Sequence, residues 1–328
     1  MDKKPSDKPI VGITMGDAAG IGPEITLKAI TDESLKAACR CVIMGDAVYL
    51  RKLASNLGVE IDPLVVELFD LKNLPEYFAI GVDAAVTGKA AAENIEAAVK
   101  LWRERKIDAI CTAPISKKAI HLGGYDFPGH TEFLAALTGT QEFAMSFFAE
   151  KLRVVLLSTH LSLTDAIALV KKDSLIELVR FSAGELGKLL GRDVSIAVAG
   201  LNPHASEGGM FGSEEQNEII PAIEHCRDTL GINVSGPYSP DTIFLRGFHG
   251  DFDGVIALYH DQATIAVKSL SFGSGVNVTL GLPLIRTSVD HGTAYDIAGQ
   301  GAADASSMVT AIKLAAELAV GSRKNAEI

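Results

Sequence analysis

Three histidines each follow an apolar run that has the composition of a buried β-strand. The runs at 152–157, 194–199 and 254–258 lead to His160, His204 and His260. Because the carboxyl ends of parallel strands in α/β proteins meet at one edge of the sheet, where ligands bind, we expect the three imidazoles to converge there. Imidazole nitrogen binds Zn²⁺, Co²⁺, Mn²⁺ or Fe²⁺, and three protein ligands leave positions open for substrate oxygens. The pattern predicts a catalytic metal site; the alternative is three unrelated strand-end histidines.

Further polar residues suit an anionic substrate group. Lys268 offers a point charge, Arg286 a planar fork of donors and Asn277 a neutral donor for phosphate or carboxylate, although each alone is ordinary surface chemistry. His130 and Thr131 lie in a glycine-flanked loop that opens a helix. They are either substrate contacts or, respectively, a structural histidine and a helix cap.

A glycine-rich turn at 16–24 follows the first predicted strand, 9–14, and places Pro23 in the first turn of a helix. A strand, a glycine turn and a helix N-terminus together can cradle an anion. The glycines can equally serve only to make a tight turn. The turn is not G-x-G-x-x-G, and no acidic residue follows at the spacing of a Rossmann dinucleotide site.

Composition excludes several classes of function. The net charge of −11 argues against a nucleic-acid partner, which requires a basic face. Residues 1–8 are polar and no apolar run is long enough to cross a bilayer, so neither a signal peptide nor a membrane partner is expected. The cysteines, which lack C-x-x-C spacing, indicate reduced thiols in a cytoplasmic protein.

Strand-like and helix-like segments alternate, which predicts an α/β fold. Further strands are expected at 40–44, 108–112, 275–280 and 284–289, and an antiparallel pair at 143–148 and 152–157. Helices are expected at 47–57, 88–106, 173–190, 214–230 and 305–320. Asp173 and Ser174 are suited to cap one of these helices, and Asp241 either caps another or transfers a proton. No linker is visible, so any division into domains over 1–328 must be discontinuous.

Eight motifs, in order and spread over nearly the whole chain, resemble the 4-hydroxythreonine-4-phosphate dehydrogenase family of vitamin B6 biosynthesis. They are ITMGDAAGIGPE (13–24), FPGHTEF (127–133), STHLSL (158–163), GLNPHASEGG (200–209), PDTIF (240–244), YHDQ (259–262), GVNVTLGLP (275–283) and IRTSVDHGTAYDIAG (285–299). The first and last are also similar to isopropylmalate and isocitrate dehydrogenases, whose fold the family shares. The resemblance implies two discontinuous α/β lobes of α/β/α architecture, a mixed, largely parallel sheet, and an active site in the cleft between the lobes.

The resemblance also implies roles for particular residues. His160, His204 and His260 would bind a divalent metal, Zn²⁺ foremost and otherwise Mg²⁺, Co²⁺ or Mn²⁺, with His260 coming from the other subunit of a homodimer. The phosphorylated hydroxy-acid substrate would contact His130, Thr131, Lys268, Asn277 and Arg286. NAD (or NADP) would lie against the loop through His291, Gly292, Thr293, Ala294, Asp296 and Asp304. Lys268 or Asp241 would transfer protons; Lys268 is preferred because it follows a metal ligand in the same segment.

The implied reaction is NAD-dependent oxidation of 4-phosphooxy-L-threonine at C3, then decarboxylation to 3-amino-2-oxopropyl phosphate in pyridoxine and pyridoxal phosphate biosynthesis. Two places depart from the common family pattern: Ala18 replaces a proline, and 263–267 lack the usual glycine and proline. A similar branch converts 4-phospho-D-threonate or 4-phospho-D-erythronate to dihydroxyacetone phosphate in sugar-acid catabolism, and this is the alternative. Two further alternatives are a dehydrogenase of aromatic dihydrodiols and a catalytically silent protein that senses a metabolite.

Overall fold

The computed structural model describes residues 8–271 and 275–326, in which strands and helices alternate along the chain. The strands are β1 (Ile10–Thr14), β2 (Arg40–Gly45), β3 (Val66–Asp70), β4 (Ala109–Thr112), β5 (Ala144–Ala149), β6 (Leu152–Leu156), β7 (Ile196–Ala199), β8 (Val234–Tyr238), β9 (Gly254–Ala257), β10 (Val276–Leu280) and β11 (Ile285–Ser288).

The α-helices are α1 (Gly22–Ala29), α2 (Glu33–Ala38), α3 (Ala47–Leu57), α4 (Ala85–Arg103), α5 (Lys117–Leu122), α6 (His130–Thr138), α7 (Leu163–Ala168), α8 (Lys172–Leu190), α9 (Ile220–Glu224), α10 (Ile243–His249), α11 (His260–Ser271) and α12 (Ser306–Ala326). Two π-helical turns, Glu215–Ile219 and His225–Thr229, continue α9 at either end, and a tight helical turn covers Pro203–Gly209.

The chain forms two compact units, each built from two segments. Unit 1 comprises Met1–Gln141 and Leu282–Val320, and unit 2 comprises Glu142–Gly281 and Gly321–Ile328. No described helix is long and apolar enough to cross a membrane.

Unit 1 contains parallel strands in the order β3-β2-β1-β4-β11. β1 and β4 are almost wholly buried, as expected for parallel strands covered by helices on both faces. Helix α4 packs its apolar face, including Ile95 and Ala98, into the core on one side. The carboxyl ends of β1, β4 and β11 therefore lie at one edge, where the candidate residues of this unit are found.

Unit 2 contains the order β10-β5-β6-β9-β7-β8. β10, β5 and β6 pair antiparallel, and β6, β9, β7 and β8 pair parallel. The predicted hairpin between β5 and β6 is thus confirmed. So is the predicted α/β architecture with a mixed, largely parallel sheet.

Some local predictions were wrong because tertiary contacts replaced local ones. Helix α8 begins at Lys172 and its capping position, Lys171, makes no side-chain bond. Instead, the Glu218 carboxylate accepts a hydrogen bond from the Lys172 amide at 2.8 Å, which serves one of the unpaired amides at the helix start. Helix α4 runs from Ala85 to Arg103 instead of 88–106, and Arg105, with φ of 57°, turns the chain just after its end.

Candidate functional site

The three predicted histidines all belong to unit 2 and follow neighbouring strands. Strand β9 pairs in parallel with β6 on one side and with β7 on the other. The prediction that the three strands end at a common edge of the sheet is therefore confirmed. The rings of His160 and His260 lie 5.9 Å apart, between centroids.

Hydrogen bonds beyond the strand ends fix His160 relative to His260. The Leu157 amide donates to the Ala257 carbonyl at 2.8 Å, which extends the pairing of β6 and β9. The Ser158 hydroxyl then donates to the Leu258 carbonyl at 3.0 Å. Both loops are thus tied together within a few residues of the imidazoles.

Gln262 ties the same loop to the end of β7. Its buried amide accepts a hydrogen bond from the Leu258 N–H at 2.7 Å and donates one to the Gly200 carbonyl at 2.8 Å. Gly200 directly follows β7 and precedes the turn that carries His204. The sequence indicates Gln262 only as part of a motif, whereas the structure shows a buried amide that both accepts and donates a hydrogen bond.

The pair of imidazoles fits a metal ligand set in its chemistry and spacing. His260 Nδ1 lies 2.7 Å from the Asp261 carboxylate, so Nε2 is the nitrogen left for a metal. A carboxylate behind a ligating imidazole is the usual outer partner of metal-binding histidines. With metal–nitrogen distances of about 2.1 Å, two imidazoles on one tetrahedral Zn²⁺ have ring centroids roughly 5–6 Å apart, which the observed spacing meets.

His204 does not join this pair within one chain. Among the described residues, no three His, Cys, Asp or Glu side chains are close enough together to hold a metal ion. The His204 ring instead lies 6.4 Å from the Phe211 ring, between centroids. A complete three-histidine site within one chain is therefore not present in this conformation.

His204 lies on a strained turn. Four successive non-glycine residues, His204 to Glu207, have φ between 44° and 69°, a region that costs such residues about 1 kcal/mol or more each. The buried Glu215 carboxylate holds the start of the turn through the amides of Leu201, at 2.8 Å, and Asn202, at 2.7 Å. The Ser206 hydroxyl holds its end by donating to the Gly212 carbonyl at 2.9 Å. Strain of this kind clusters at functional sites.

The remaining candidates in unit 2 are dispersed. Lys268 is exposed near the end of α11, eight residues after His260, so about 12 Å of helix separates their backbones. Sequence proximity thus does not put Lys268 beside the imidazole pair. Asn277 is on β10, and its Oδ1 atom is buried without a hydrogen-bond partner among the described residues. Asp241 does not cap α10, whose capping residue is Thr242; its carboxylate accepts a bond from the Ser239 hydroxyl at 2.6 Å.

In unit 1, the charge of Arg286 acts on the pKa of His130. Arg286 is buried on β11, and its Nη2 donates to the Thr112 hydroxyl of the neighbouring β4 at 2.9 Å. Burial lowers the pKa of Arg286 to about 10, and the group remains a cation near neutral pH. Burial and the Arg286 charge hold the pKa of His130 well below its ordinary value of 6.5.

One nitrogen of the His130 imidazole is available for a hydrogen bond to a ligand. Its Nε2 atom is buried and has no hydrogen-bond partner in the part of the chain described. Helix α6 begins at His130 itself, with Gly129 as the capping residue, so Thr131 lies inside the helix and the predicted cap was wrong. A neutral, half-buried imidazole with a buried nitrogen, within range of the charge of a buried guanidinium, is suited to a polar, anionic substrate.

The predicted cofactor loop, 291–304, packs on the glycine turn of the same unit. The Ile21 amide donates to the Thr293 carbonyl at 2.9 Å, and a Cβ on Gly20 would come within 2.8 Å of that oxygen. Gly20 is therefore needed for the close approach of two backbones. Gly292 and Asp296 are exposed, whereas the buried Glu24 carboxylate accepts from the Ala303 amide at 2.8 Å and anchors the far end of the loop.

Two predicted cofactor residues already have partners in the fold. His291 Nε2 lies 3.2 Å from the Ser307 hydroxyl, and Asp304 accepts from the Ser306 amide and hydroxyl at the start of α12. Those Ser306 bonds lower the pKa of the Asp304 carboxyl. An exposed loop held at several points over a helix N-terminus and a glycine turn is an arrangement that suits a nucleotide.

Comparison with known proteins finds one matching family model and similar dehydrogenases that are named for two different substrates. The family model described as pyridoxal phosphate biosynthetic protein PdxA matches residues 37–315. The chain is 46% identical over 325 residues to D-threonate 4-phosphate dehydrogenase of Cupriavidus necator, covering 95% of this chain and 97% of that one. It is 43% identical to a crystal structure of a 4-hydroxythreonine-4-phosphate dehydrogenase from Burkholderia phymatum, with a TM-score of 0.83 and coverage of 95% and 98%. The enzyme of that name from Klebsiella pneumoniae is 39% identical, with a TM-score of 0.87 and coverage of 95% and 100%.

Proposed function

Because the chain belongs to the pyridoxal phosphate biosynthetic protein PdxA family, we propose that it is a metal- and NAD-dependent dehydrogenase acting on D-threonate 4-phosphate. The reaction would oxidise the C3 hydroxyl, and the resulting β-keto acid would lose CO₂ to give dihydroxyacetone phosphate. The similarity over almost the whole chain to a relative named for this substrate carries the choice.

The second candidate substrate is 4-hydroxythreonine 4-phosphate, which the names of the solved relatives favour at nearly the same identity. The two substrates differ at C2, which bears a hydroxyl in threonate and an ammonium in hydroxythreonine. Both share the phosphate, the carboxylate and the C3 hydroxyl. The groups that bind these shared parts therefore serve either substrate.

In unit 1, Arg286 would bind an anionic group of the substrate. A guanidinium that is already desolvated and is oriented by Thr112 loses little water and little conformational freedom when an oxyanion binds. His130, neutral because its pKa is depressed, would offer Nε2 to a substrate oxygen, and Thr131 would lie next to it on α6.

In unit 2, His160, His204 and His260 would hold the metal, and Asn277 Oδ1 would accept a hydrogen bond from the substrate. A bound Zn²⁺ would supply a Lewis acid for the C3 oxygen, and bound NAD would supply the hydride acceptor. Asp261 would orient His260, and Gln262 and Ser158 would hold the strand ends in place. Lys268 and Asp241 remain the candidates for proton transfer.

We propose a homodimer in which a second subunit completes the metal site. Apolar side chains that follow His160 and His204 within a few residues along the chain are exposed, from 39% for Ile167 to 75% for Met210. They are Leu161, Leu163, Ile167, Leu169, Met210 and Phe211. Several exposed apolar side chains in the segments that carry two metal ligands suit an interface, and a second copy of the chain is the expected partner.

The four described cysteines are free and buried, which supports a reducing, cytoplasmic location.

The substrate assignment is tested by following NADH absorbance with each phosphorylated acid. We expect kcat/KM for D-threonate 4-phosphate to exceed that for 4-hydroxythreonine 4-phosphate by at least tenfold. The reverse ratio would assign the chain to the second candidate. We also expect NAD to be preferred over NADP, because the loop from Asp290 to Asp304 contains three aspartates and no lysine or arginine to bind a 2′-phosphate.

A further inference from the structure

Tyr295 joins three segments of unit 1 at one phenol. Its hydroxyl donates to Asp17 Oδ2 at 2.7 Å and lies 3.2 Å from Asp83 Oδ1. Asp17 is fully buried in the glycine turn, and its other oxygen accepts from the Ala19 amide at 2.9 Å. Tyr295 itself lies in the first half of the loop 291–304.

Backbone contacts around the phenol leave the loop little freedom. The Gly81 amide donates to the Ala19 carbonyl at 2.8 Å, and a Cβ on Gly81 would lie 2.8 Å from the Tyr295 carbonyl. Ala294, just before Tyr295, has a φ of 43°, which is strained for a residue with a Cβ. Such a conformation persists only where its surroundings over-determine it, and the Tyr295 bonds supply that constraint.

The charges around the phenol also hold it in place. Asp83 accepts a hydrogen bond from the Ser116 hydroxyl and pairs with Lys118, whose Nζ lies 3.3 Å from Oδ2. These bonds lower the pKa of the Asp83 carboxyl. Burial and the neighbouring Asp17 raise the pKa of Tyr295, so its hydroxyl remains a proton donor through neutral pH.

We propose that Tyr295 is a positioning residue for the nicotinamide cofactor, and that its bond to Asp17 locks the loop 291–296 on the glycine turn in the form that accepts the nucleotide. This inference rests on the proposed function. It adds a residue, and its partners Asp17 and Asp83, to the loop positions predicted to touch the cofactor. Tyr295 acts through that loop and need not contact the ligand.

The test compares Tyr295→Phe with Tyr49→Phe. Tyr49 is a matched control because its hydroxyl donates to the Ala18 carbonyl of the same glycine turn at 2.9 Å but belongs to α3. A hydrogen bond to a charged group supports an expected rise of about tenfold or more in the NAD dissociation constant, measured by calorimetry, for Tyr295→Phe. We expect the KM for NAD to rise equally, with the KM for the phosphorylated substrate and kcat changed less than threefold. Tyr49→Phe should leave NAD affinity within about twofold of wild type.

A second measurement needs no cofactor. Hydrogen exchange of the free protein should show faster exchange at the Ile21 amide, which donates to Thr293, in Tyr295→Phe than in wild type or Tyr49→Phe. Wild-type NAD affinity and exchange in Tyr295→Phe would overturn the inference while leaving the proposed function intact. A wild-type protein that binds no nicotinamide nucleotide would instead contradict the proposed function, and the exchange data would still decide whether the phenol locks the loop.

Discussion

The imidazole rings of His160 and His260 lie 5.9 Å apart because they follow adjacent parallel strands whose ends are bonded to each other. One hundred residues separate them in sequence, so neither ring was brought there by local structure. The Asp261 carboxylate lies at His260 Nδ1, which leaves Nε2 of that ring for a metal.

Asp261→Asn should weaken metal binding by about 10–100-fold, because an amide orients and polarises the His260 ring less than a carboxylate does. Zinc affinity is measured by competition with a chromophoric chelator. Asp228→Asn, at an exposed carboxylate of unit 2 paired with Arg227, is the control and should match wild type. Equal affinities for all three proteins would show that Asp261 has no role behind the metal.

Gln262→Met should lower the free energy of unfolding by about 2–4 kcal/mol, because the Leu258 amide and the Gly200 carbonyl then lose their hydrogen-bond partner while they remain buried. Urea denaturation gives the value. Gln216→Met removes an exposed bond to the Gly208 carbonyl and should cost less than about 1 kcal/mol. A Gln262 variant as stable as the Gln216 variant would contradict the proposed role of this amide in joining the strand ends.

His130 should make wild type less stable as the pH falls below 6.5. In that range the unfolded imidazole binds a proton, whereas the folded one, with its depressed pKa, does not. Protonation therefore favours the unfolded state, by up to about 1.4 kcal/mol per pH unit from this residue, until the pH reaches the folded pKa. His130→Gln should lack this part of the dependence in urea denaturation at pH 5 to 7. His121→Gln, at an exposed site, is the control. Parallel curves for wild type and His130→Gln would contradict the depressed pKa.

Mixed dimers test whether subunits share the metal site. His160→Ala, His204→Ala and His260→Ala should each be inactive alone. If one ligand comes from the other subunit, the variant that lacks this ligand is unfolded and refolded together with a variant that lacks either of the other two. This mixture should restore about a quarter of wild-type activity, since half of the dimers then contain one intact site. If all ligands come from one chain, none of the three pairwise mixtures regains activity. Mixing each variant with itself is the control.

Regular periodicity is what made much of the fold predictable. The strands, the hairpin and most helices follow from apolar runs and alternation, and the common edge below His160, His204 and His260 follows from parallel pairing. Capping at Thr131, Asp173 and Asp241 was not predictable in the same way. Local rules assign these residues as caps, whereas the fold begins the helices elsewhere, and at α8 a distant carboxylate, Glu218, binds the first amide.

Hydrogen bonds between residues far apart in the chain could not be predicted from the sequence. Tyr295 and Asp17 are 278 residues apart, and nothing in either motif indicates that they bond. The left-handed turn at His204 was likewise not predictable from the sequence, because non-glycine residues prefer negative φ and four successive ones here have positive φ. Hydrogen bonds of Glu215 and Ser206 hold the turn in this conformation. Glycines near Ser206 in the sequence indicated a loop but not its strain.

The most direct test of the account is the rate of NADH formation from D-threonate 4-phosphate before chelation, after chelation and after zinc is restored. We predict activity that falls at least a hundredfold with chelator, returns with Zn²⁺, and does not return in His160→Ala. Undiminished NADH formation by the metal-free protein, or none from any 4-phosphorylated four-carbon hydroxy acid with metal present, would contradict it.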